Sequence, residues 1–474
     1  MGARPPDAGV SDEPDPVSPK LPGSRRQKMP TSVWGVAALW STVLGGVAIW
    51  RVWVLEAGAL DLGFMVHALG AVARGGIFEP ASWAGWTFLQ DHFSPLALPL
   101  AWLADSPLGA YFLVAAQALA VAASIPLAWL LISSRVKEVW ARRTLLAAYA
   151  LSPPLLFAVL YDFHPSLLAT PFLVALLLGL TNGDRRLVWI GGIGAMLARE
   201  DLALLTIGIL VLCGHTAPRA RTGLVIGALA CLLGWRVTTG GPEYATQLFF
   251  SYVEVGQPMA TLRKALGAAW SDGFLPRLLL VLAIPWLWWR PLAWRPLLAG
   301  AVLGVPLLLA DSPNTKLLGF HYWAFVPPLA LAAVVMAWVG SSRRLAGGAV
   351  LLLALLAGGP LVGSLLSPSA DSVLSLATAT AATRSTVSEV HSAVRCLSDN
   401  GLVAVDSRVS PLLGHRSEIA VLPHPFEPLV VRVGPREVVL RAADPRRPEQ
   451  VISSDEGPAG YERSTCSPAL WVPA

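Results

Sequence analysis

The chain has 474 residues, 54% of them hydrophobic and only 14% charged, with a mean hydropathy of +0.59 and a formal net charge of +5. Soluble domains carry about 25% charged residues, so this composition excludes an ordinary soluble globular protein and requires a lipid surface to cover it. The basic residues sit in short clusters between apolar runs; no basic stripe of the kind that binds nucleic acid is present, and the clusters read as topology signals.

Residues 1–32 are polar and Pro-rich, with Arg25, Arg26 and Lys28 just ahead of the first apolar run. They read as a disordered cytoplasmic tail. Val33–Leu55 is too long for the apolar region of a signal peptide and lacks a clear cleavage site, so it is predicted to remain as the first span. A spanning helix needs roughly 17–25 apolar residues. By that measure further spans are predicted near 107–132, 144–160, 166–181, 222–239, 276–290, 296–310, 321–340 and 344–366. Nineteen tryptophans suit a chain with many membrane interfaces.

The segment 187–213 decides the topology. It is apolar at both ends but carries Arg199-Glu200-Asp201 in its middle, where charges at the bilayer centre cost several kcal/mol. It is either one helix with a buried charged triplet, or two short helices or a re-entrant hairpin with the triplet at the turn. With the N-terminus inside, Arg135, Lys137, Arg142, Arg143, Arg185 and Arg186 lie on the cytoplasmic side under both readings. Only the hairpin also keeps Arg219 and Arg221, Arg290 and Arg295, and Arg343 and Arg344 inside, as the positive-inside rule requires. The predicted fold is therefore an all-α polytopic membrane bundle of about eleven membrane segments over 33–366, with a long first outer loop at 56–106.

Residues 367–474 fall outside in this topology and change character, with shorter apolar runs and more Pro, Arg and Asp. Gly401–Asp406 and Glu418–Leu422 read as strands and 383–399 as a helix, which predicts a small extracytoplasmic α/β domain. Of the four cysteines, Cys213 and Cys231 lie in apolar spans and read as inert packing, whereas Cys396 and Cys466 lie where a disulfide is permitted. They are a bridge or two free thiols.

Most short polar stretches between spans fall on the outer face in this topology. Asp61 opens the first outer loop; it is a general base, a metal ligand, or the N-cap of a surface amphipathic helix over Leu62–Val72. Asp91-His92 pairs an acid with an imidazole that transfers protons near neutral pH, or marks a turn ended by Pro95. Asp162 and His164 flank Phe163 at a span end, either facing a cleft or capping a helix pair. Arg199 is suited to a phosphate, and Glu200 and Asp201 to a cation or a hydroxyl; alternatively the triplet closes the hairpin as an internal ion pair. His321-Tyr322 opens a span and reads as a ligand pair or as part of an aromatic belt. No P-loop, GxSxG, HExxH or dinucleotide fingerprint is present.

Taken together, Asp61-Leu-Gly-Phe64, His92-Phe-Ser-Pro95, Asp162-Phe-His-Pro165, Arg199-Glu-Asp201, His321-Tyr322 and the tail stretches Val405–Arg416 and Val421–Pro423 resemble the bacterial membrane family known as domain of unknown function 2079. Members often carry Lys where Arg199 stands here. That family is in turn similar to the glycosyltransferase C superfamily, whose polytopic enzymes use polyprenyl-phosphate sugars, place an essential acid in the first outer loop and often append an outer domain. The resemblance implies sugar transfer on the outer leaflet of the cell membrane. Asp61 would be the catalytic base, with Asp91 and His92 beside it. Asp162, His164, Glu200, Asp201, His321 and Tyr322 would line the substrate, and Arg199, Arg408 and Arg416 would meet the leaving phosphate. The loop of that superfamily often holds neighbouring acids, whereas Asp61 has none adjacent, its nearest loop acids being Glu56, Glu79 and Asp91. The cofactor stays open: a divalent cation suits such chemistry, but no ligand spacing marks one. Expected partners are membrane lipids and the lipid-linked donor; oligomeric state is not legible. A transporter or lipid flippase, and a non-catalytic scaffold, are the competing readings.

Overall fold

The computed structural model describes residues 29–55, 57, 59–78, 87–214, 218–239, 257, 259–261, 263, 267, 291–309, 321–338, 381–397, 403–406, 409–413, 419–422, 437–439, 461–463 and 470–473. The first span is α1 (Thr31–Trp53). It exposes Trp34, Val36, Leu39, Val43, Ile49 and Trp53, an apolar surface suited to lipid. Trp34 and Trp53 mark its two ends about 28 Å apart at helical rise, close to the roughly 30 Å thickness of a hydrocarbon core. Beyond Trp53 the chain turns through Leu55, whose φ of +62° lies in the left-handed region. A non-glycine residue there costs about 1–2 kcal/mol, and the fully buried Leu55 side chain offsets it.

Next comes a single wide π-type turn, Ala59–Gly63, which leads directly into α2 (Phe64–Arg74). Here the expected surface amphipathic helix is corrected. Phe64–Ala71 is buried on every side, so α2 is an interior helix packed in protein. Hydropathy cannot separate the two cases, because lipid and protein interior are equally apolar.

The bundle continues with α3 (Gly109–Ser133), α4 (Val139–Ala150), α5 (Pro153–Leu160), α6 (Thr170–Asn182), α7 (Arg185–Met196), α8 (Glu200–Cys213), α9 (Pro218–Thr239), α10 (Pro291–Leu309) and α11 (Val326–Ala337). Among the described residues, five helical stretches are long and apolar enough to cross a membrane: Thr31–Trp53, Gly109–Ser133, Val139–Leu160, Pro165–Asn182 and Pro218–Val237. They coincide with the first five predicted spans. Trp294–Leu307 and Val326–Ala337 are shorter apolar helices at two further predicted spans, while 276–290 and 344–366 lie outside the described residues. Segment 187–213 is two helices broken at Leu197–Arg199, as the charged triplet predicts.

Packing runs in chain order: α1 on α3, α3 on α6, α6 on α7, α8 on α9 and α10, and α10 on α11. The α6–α7 contact depends on glycine. A Cβ on Gly191 would lie 2.3 Å from the Leu176 nitrogen and 2.6 Å from the Phe172 oxygen, so the helix backbones touch there in the small-residue manner of membrane helices. Gly191→Val is expected to lower the thermal midpoint of the purified protein strongly, at or above the 1–3 kcal/mol typical of overpacking. An unchanged melting curve would show that α6 and α7 do not meet at this point.

Past the membrane helices, α12 (Ala381–Cys396) precedes strands β1 (Val403–Asp406), β2 (Ile419–Leu422), β3 (Glu437–Val439), β4 (Tyr461–Arg463) and β5 (Leu470–Pro473). They form one sheet of order β2-β1-β3-β5-β4, parallel across β2-β1-β3 and antiparallel across β3-β5-β4. The helix and the first two strands fall where the sequence predicts them. A short 3₁₀ turn, Ser410–Leu413, is buried against α2 and the Ala59–Gly63 turn in one apolar cluster with Leu62, Met65 and Leu69. His67 Nε2 lies 3.1 Å from the Ser410 carbonyl and donates to it. His391 of α12 stacks on Trp53 at 4.0 Å and donates to the Trp53 carbonyl at 2.9 Å, satisfying one of the open carbonyls at the end of α1. Cys396 is disulfide-bonded and Cys213 and Cys231 are free; Cys466 lies outside the described residues.

Candidate functional site

Two of the conspicuous polar stretches end in proline, and each proline starts a 3₁₀ turn, Pro95–Leu100 and Pro165–Ala169. The residue before a proline is pushed out of the helical region. His164 accordingly has extended backbone, φ −133° and ψ 124°, which throws its side chain away from the helix that follows.

There it meets Asp61. His164 Nε2 is 3.2 Å from Asp61 Oδ1, although the two are 103 residues apart in sequence. His164 Nδ1 lies 3.0 Å from the Asp162 carbonyl, an atom that can only accept, so Nδ1 carries a proton. A neutral imidazole would then turn a lone pair toward the carboxylate. The 3.2 Å contact therefore needs one further proton between the two atoms, as an imidazolium–carboxylate pair or a neutral acid against neutral histidine. Burial pushes the Asp61 carboxyl up, but the His164 charge, hydrogen bonds from His164 and Tyr161 and the field of His92 together hold it below the ordinary carboxylate value. Asp61 is thus held toward its ionised form. Burial, reinforced by the charges of Asp61 and Asp162, raises Tyr161 well above the usual phenol range; its neutral hydroxyl donates to Asp61.

The support behind this pair is buried. Gln117 of α3 is fully enclosed. Its Oε1 accepts from the His164 backbone N–H at 2.7 Å, and its Nε2 donates toward the carbonyls of Asp162 at 3.1 Å, Ala158 at 3.3 Å and Val159 at 3.4 Å. Arg51, buried in the last turn of α1, donates to the Tyr161 carbonyl at 2.7 Å. The His164 side chain is 5% exposed and that of Asp61 33%, so the carboxylate is the open end of an otherwise enclosed hydrogen-bond chain.

A second cluster forms at the α7–α8 break. Glu200 accepts from the Phe93 N–H at 3.0 Å and lies 3.0 Å from His92 Nδ1. Leu96 N–H donates to the Leu197 carbonyl at 2.8 Å, so the loop after residue 91 is pinned to the break. Arg199 binds Asp201 through both Nε and Nη2, the first at 2.7 Å, and lies against the Tyr322 ring at 5.9 Å. Both acids of the triplet thus have partners within the chain, the internal-pair arrangement named above as the alternative to holding a cation or a hydroxyl. Both also sit in the first turn of α8, where the helix dipole favours negative charge.

The structure brings Asp61 and His164 together, and separately Arg199, Asp201 and Tyr322. His92 joins Glu200 and acts on Asp61 through space. Asp162 is buried and contributes its carbonyl to His164. Asp91 ends a helical turn and His321 begins one, but their side chains, like Arg408 and Arg416 altogether, lie outside the described residues. Sequence reasoning passes over Gln117, Arg51 and the Tyr161 hydroxyl. Polar groups inside apolar runs are the signal that finds the first two. Among the described residues, no group of three or more His, Cys, Asp or Glu is placed to hold a metal ion.

The chain belongs to a family of predicted membrane proteins, the domain of unknown function 2079 family, which it matches over residues 51–456. No curated protein and no solved structure matches it. Membership and the apolar helices make it a membrane protein.

Proposed function

We propose that this membrane protein transfers a sugar from a polyprenyl-phosphate donor to a hydroxyl acceptor at the outer leaflet of the plasma membrane, with Asp61 as general base. The observation that carries this reading is the Asp61–His164 contact, an ionised carboxylate one-third open at the end of a buried chain of hydrogen bonds. The acceptor oxygen attacks the anomeric carbon, its proton passes to Asp61, and the carbon–oxygen bond to phosphate breaks with its electron pair leaving on the phosphate. A carboxylate held low is a weak base. It takes the proton late, once the forming bond has acidified the hydroxyl. Arg199, with Arg408 and Arg416 as further candidates, faces the leaving phosphate in this scheme.

The sidedness rests on Cys396. Disulfides persist in oxidising compartments, and the helix bearing this one touches the end of the first span through His391 and Trp53. Trp53 and the Asp61 turn then share the oxidising side, and residues 1–32 lie in the cytoplasm. On this reading 33–366 is a membrane domain of about eleven segments, and 367–474 is an extracytoplasmic α/β domain seated on the loop that carries Asp61. The broken helix at Leu197–Arg199 favours a second reading, transport, because discontinuous helices build substrate sites in transporters.

Deleting the gene in the native host and profiling envelope glycans and polyprenyl-linked sugars by mass spectrometry separates the two. Transfer requires that a glycan disappear and its lipid-linked donor accumulate, and that wild type but not Asp61→Asn restore both. Full restoration by Asp61→Asn at equal membrane level would remove Asp61 from the chemistry and leave transport ahead.

A further inference from the structure

Arg199 spends two of its three guanidinium nitrogens on Asp201. The third, Nη1, is buried and, among the described residues, without a hydrogen-bond partner; so is the Ser166 hydroxyl. Both residues are more than nine-tenths buried, at 4% and 8% exposure. Leaving a buried donor unpaired costs about 1–3 kcal/mol, and two such groups here line the same recess. Its wall is completed by Thr170, Asp201, Tyr322 and Phe325, and the free space between them is about that of one water molecule, room for a single oxygen.

Asp201 neutralises Arg199, and Glu200 and Asp201 already sit against the α8 dipole, so the attraction for an anion comes from the two unused donors and from the N-terminal end of α6 at Thr170. The Tyr322 ring holds the guanidinium from one side, so Nη1 is fixed in place before any ligand arrives. Ser166 stands two residues after His164 on the Pro165 turn. One short stretch therefore serves the Asp61 pair at one end and the recess at the other.

We infer that the Ser166–Arg199 recess is a phosphoryl-oxygen site, in which Arg199 Nη1 and Ser166 Oγ donate to an oxygen of a phosphate group. The inference rests on the transferase reading only for the source of that phosphate, a polyprenyl phosphate; a soluble phosphate would satisfy the same donors.

The test uses full-length protein in phosphatidylcholine nanodiscs and reads thermal stabilisation, without turnover, against a polyprenyl phosphate, the corresponding polyprenol and inorganic phosphate. The polyprenyl phosphate should stabilise the wild type and the polyprenol should not. Ser166→Ala should weaken apparent affinity about tenfold while leaving the unliganded protein as stable or more stable, since it deletes an unpaired hydroxyl. Arg199→Lys should weaken affinity further. Protection by inorganic phosphate with the same sensitivity to both variants would support the site and assign it a soluble source. Equal protection by the polyprenol, or wild-type affinity in Ser166→Ala and Arg199→Lys, would overturn it. Phosphate binding with no change in any glycan on gene deletion would leave the recess standing and sink the transferase reading.

Discussion

Asp61→Asn is expected to lower sugar transfer by about 10²–10⁴-fold, the range a positioned proton acceptor contributes, while leaving the protein folded and in the membrane. The fold tolerates the change for a specific reason. With Nδ1 of His164 held as a donor by the Asp162 carbonyl, a neutral imidazole presents Nε2 as an acceptor, and an asparagine amide can donate to it. The contact survives with one proton fewer, and only the basic oxygen is lost. The measurement is donor turnover at matched membrane abundance; activity within a few-fold of wild type would exclude Asp61 as the base.

The same carboxyl predicts an acid signature. Its folded value lies below the ordinary 3.8 because the His164 charge and the hydrogen bonds outweigh burial. A depressed carboxylate contributes stability that is present above the unfolded value and lost as pH falls through the folded one. The stability advantage of wild type over Asp61→Asn should therefore shrink as pH falls below about 3.8. An advantage that stays unchanged well below that value would contradict the depressed carboxyl.

Hydropathy alone locates five of the helices long enough to cross a membrane, because a run of apolar residues longer than roughly 17 has few other uses. The charged triplet predicts the break at Leu197–Arg199 for an equally direct reason, the cost of charge at depth. What one dimension withholds is pairing. Asp61 and His164 each appear as isolated polar residues at span ends, and only the packing of α1, α3 and α6 places them 3.2 Å apart. The triplet was legible as functional or as an internal pair; the structure shows the pair, with Asp201 taking two arms of Arg199. The α2 reading failed because its apolar face and its apolar surroundings look alike in sequence, whether those surroundings are lipid or the Ser410–Leu413 turn.

Gln117→Leu is expected to damage stability and turnover together, and by a route separable from catalysis. The side chain accepts one hydrogen bond and shares its two N–H groups among three carbonyls in full burial. A leucine of similar volume fills the space but leaves the His164 N–H and the carbonyl of Asp162 without this partner, at about 1–3 kcal/mol for each buried group stranded. The thermal midpoint should fall by many degrees, and transfer should fall with it because His164 no longer has a fixed backbone. Gln117→Glu discriminates the two effects. Its carboxyl oxygen still accepts from the His164 N–H, but a carboxylate has no N–H to give the carbonyls. Gln117→Glu should therefore melt below wild type yet keep more transfer than Gln117→Leu, because the bond that fixes the His164 backbone is retained. If both variants melt like wild type, the amide is incidental, and the orientation of His164 must come from the Pro165 turn alone.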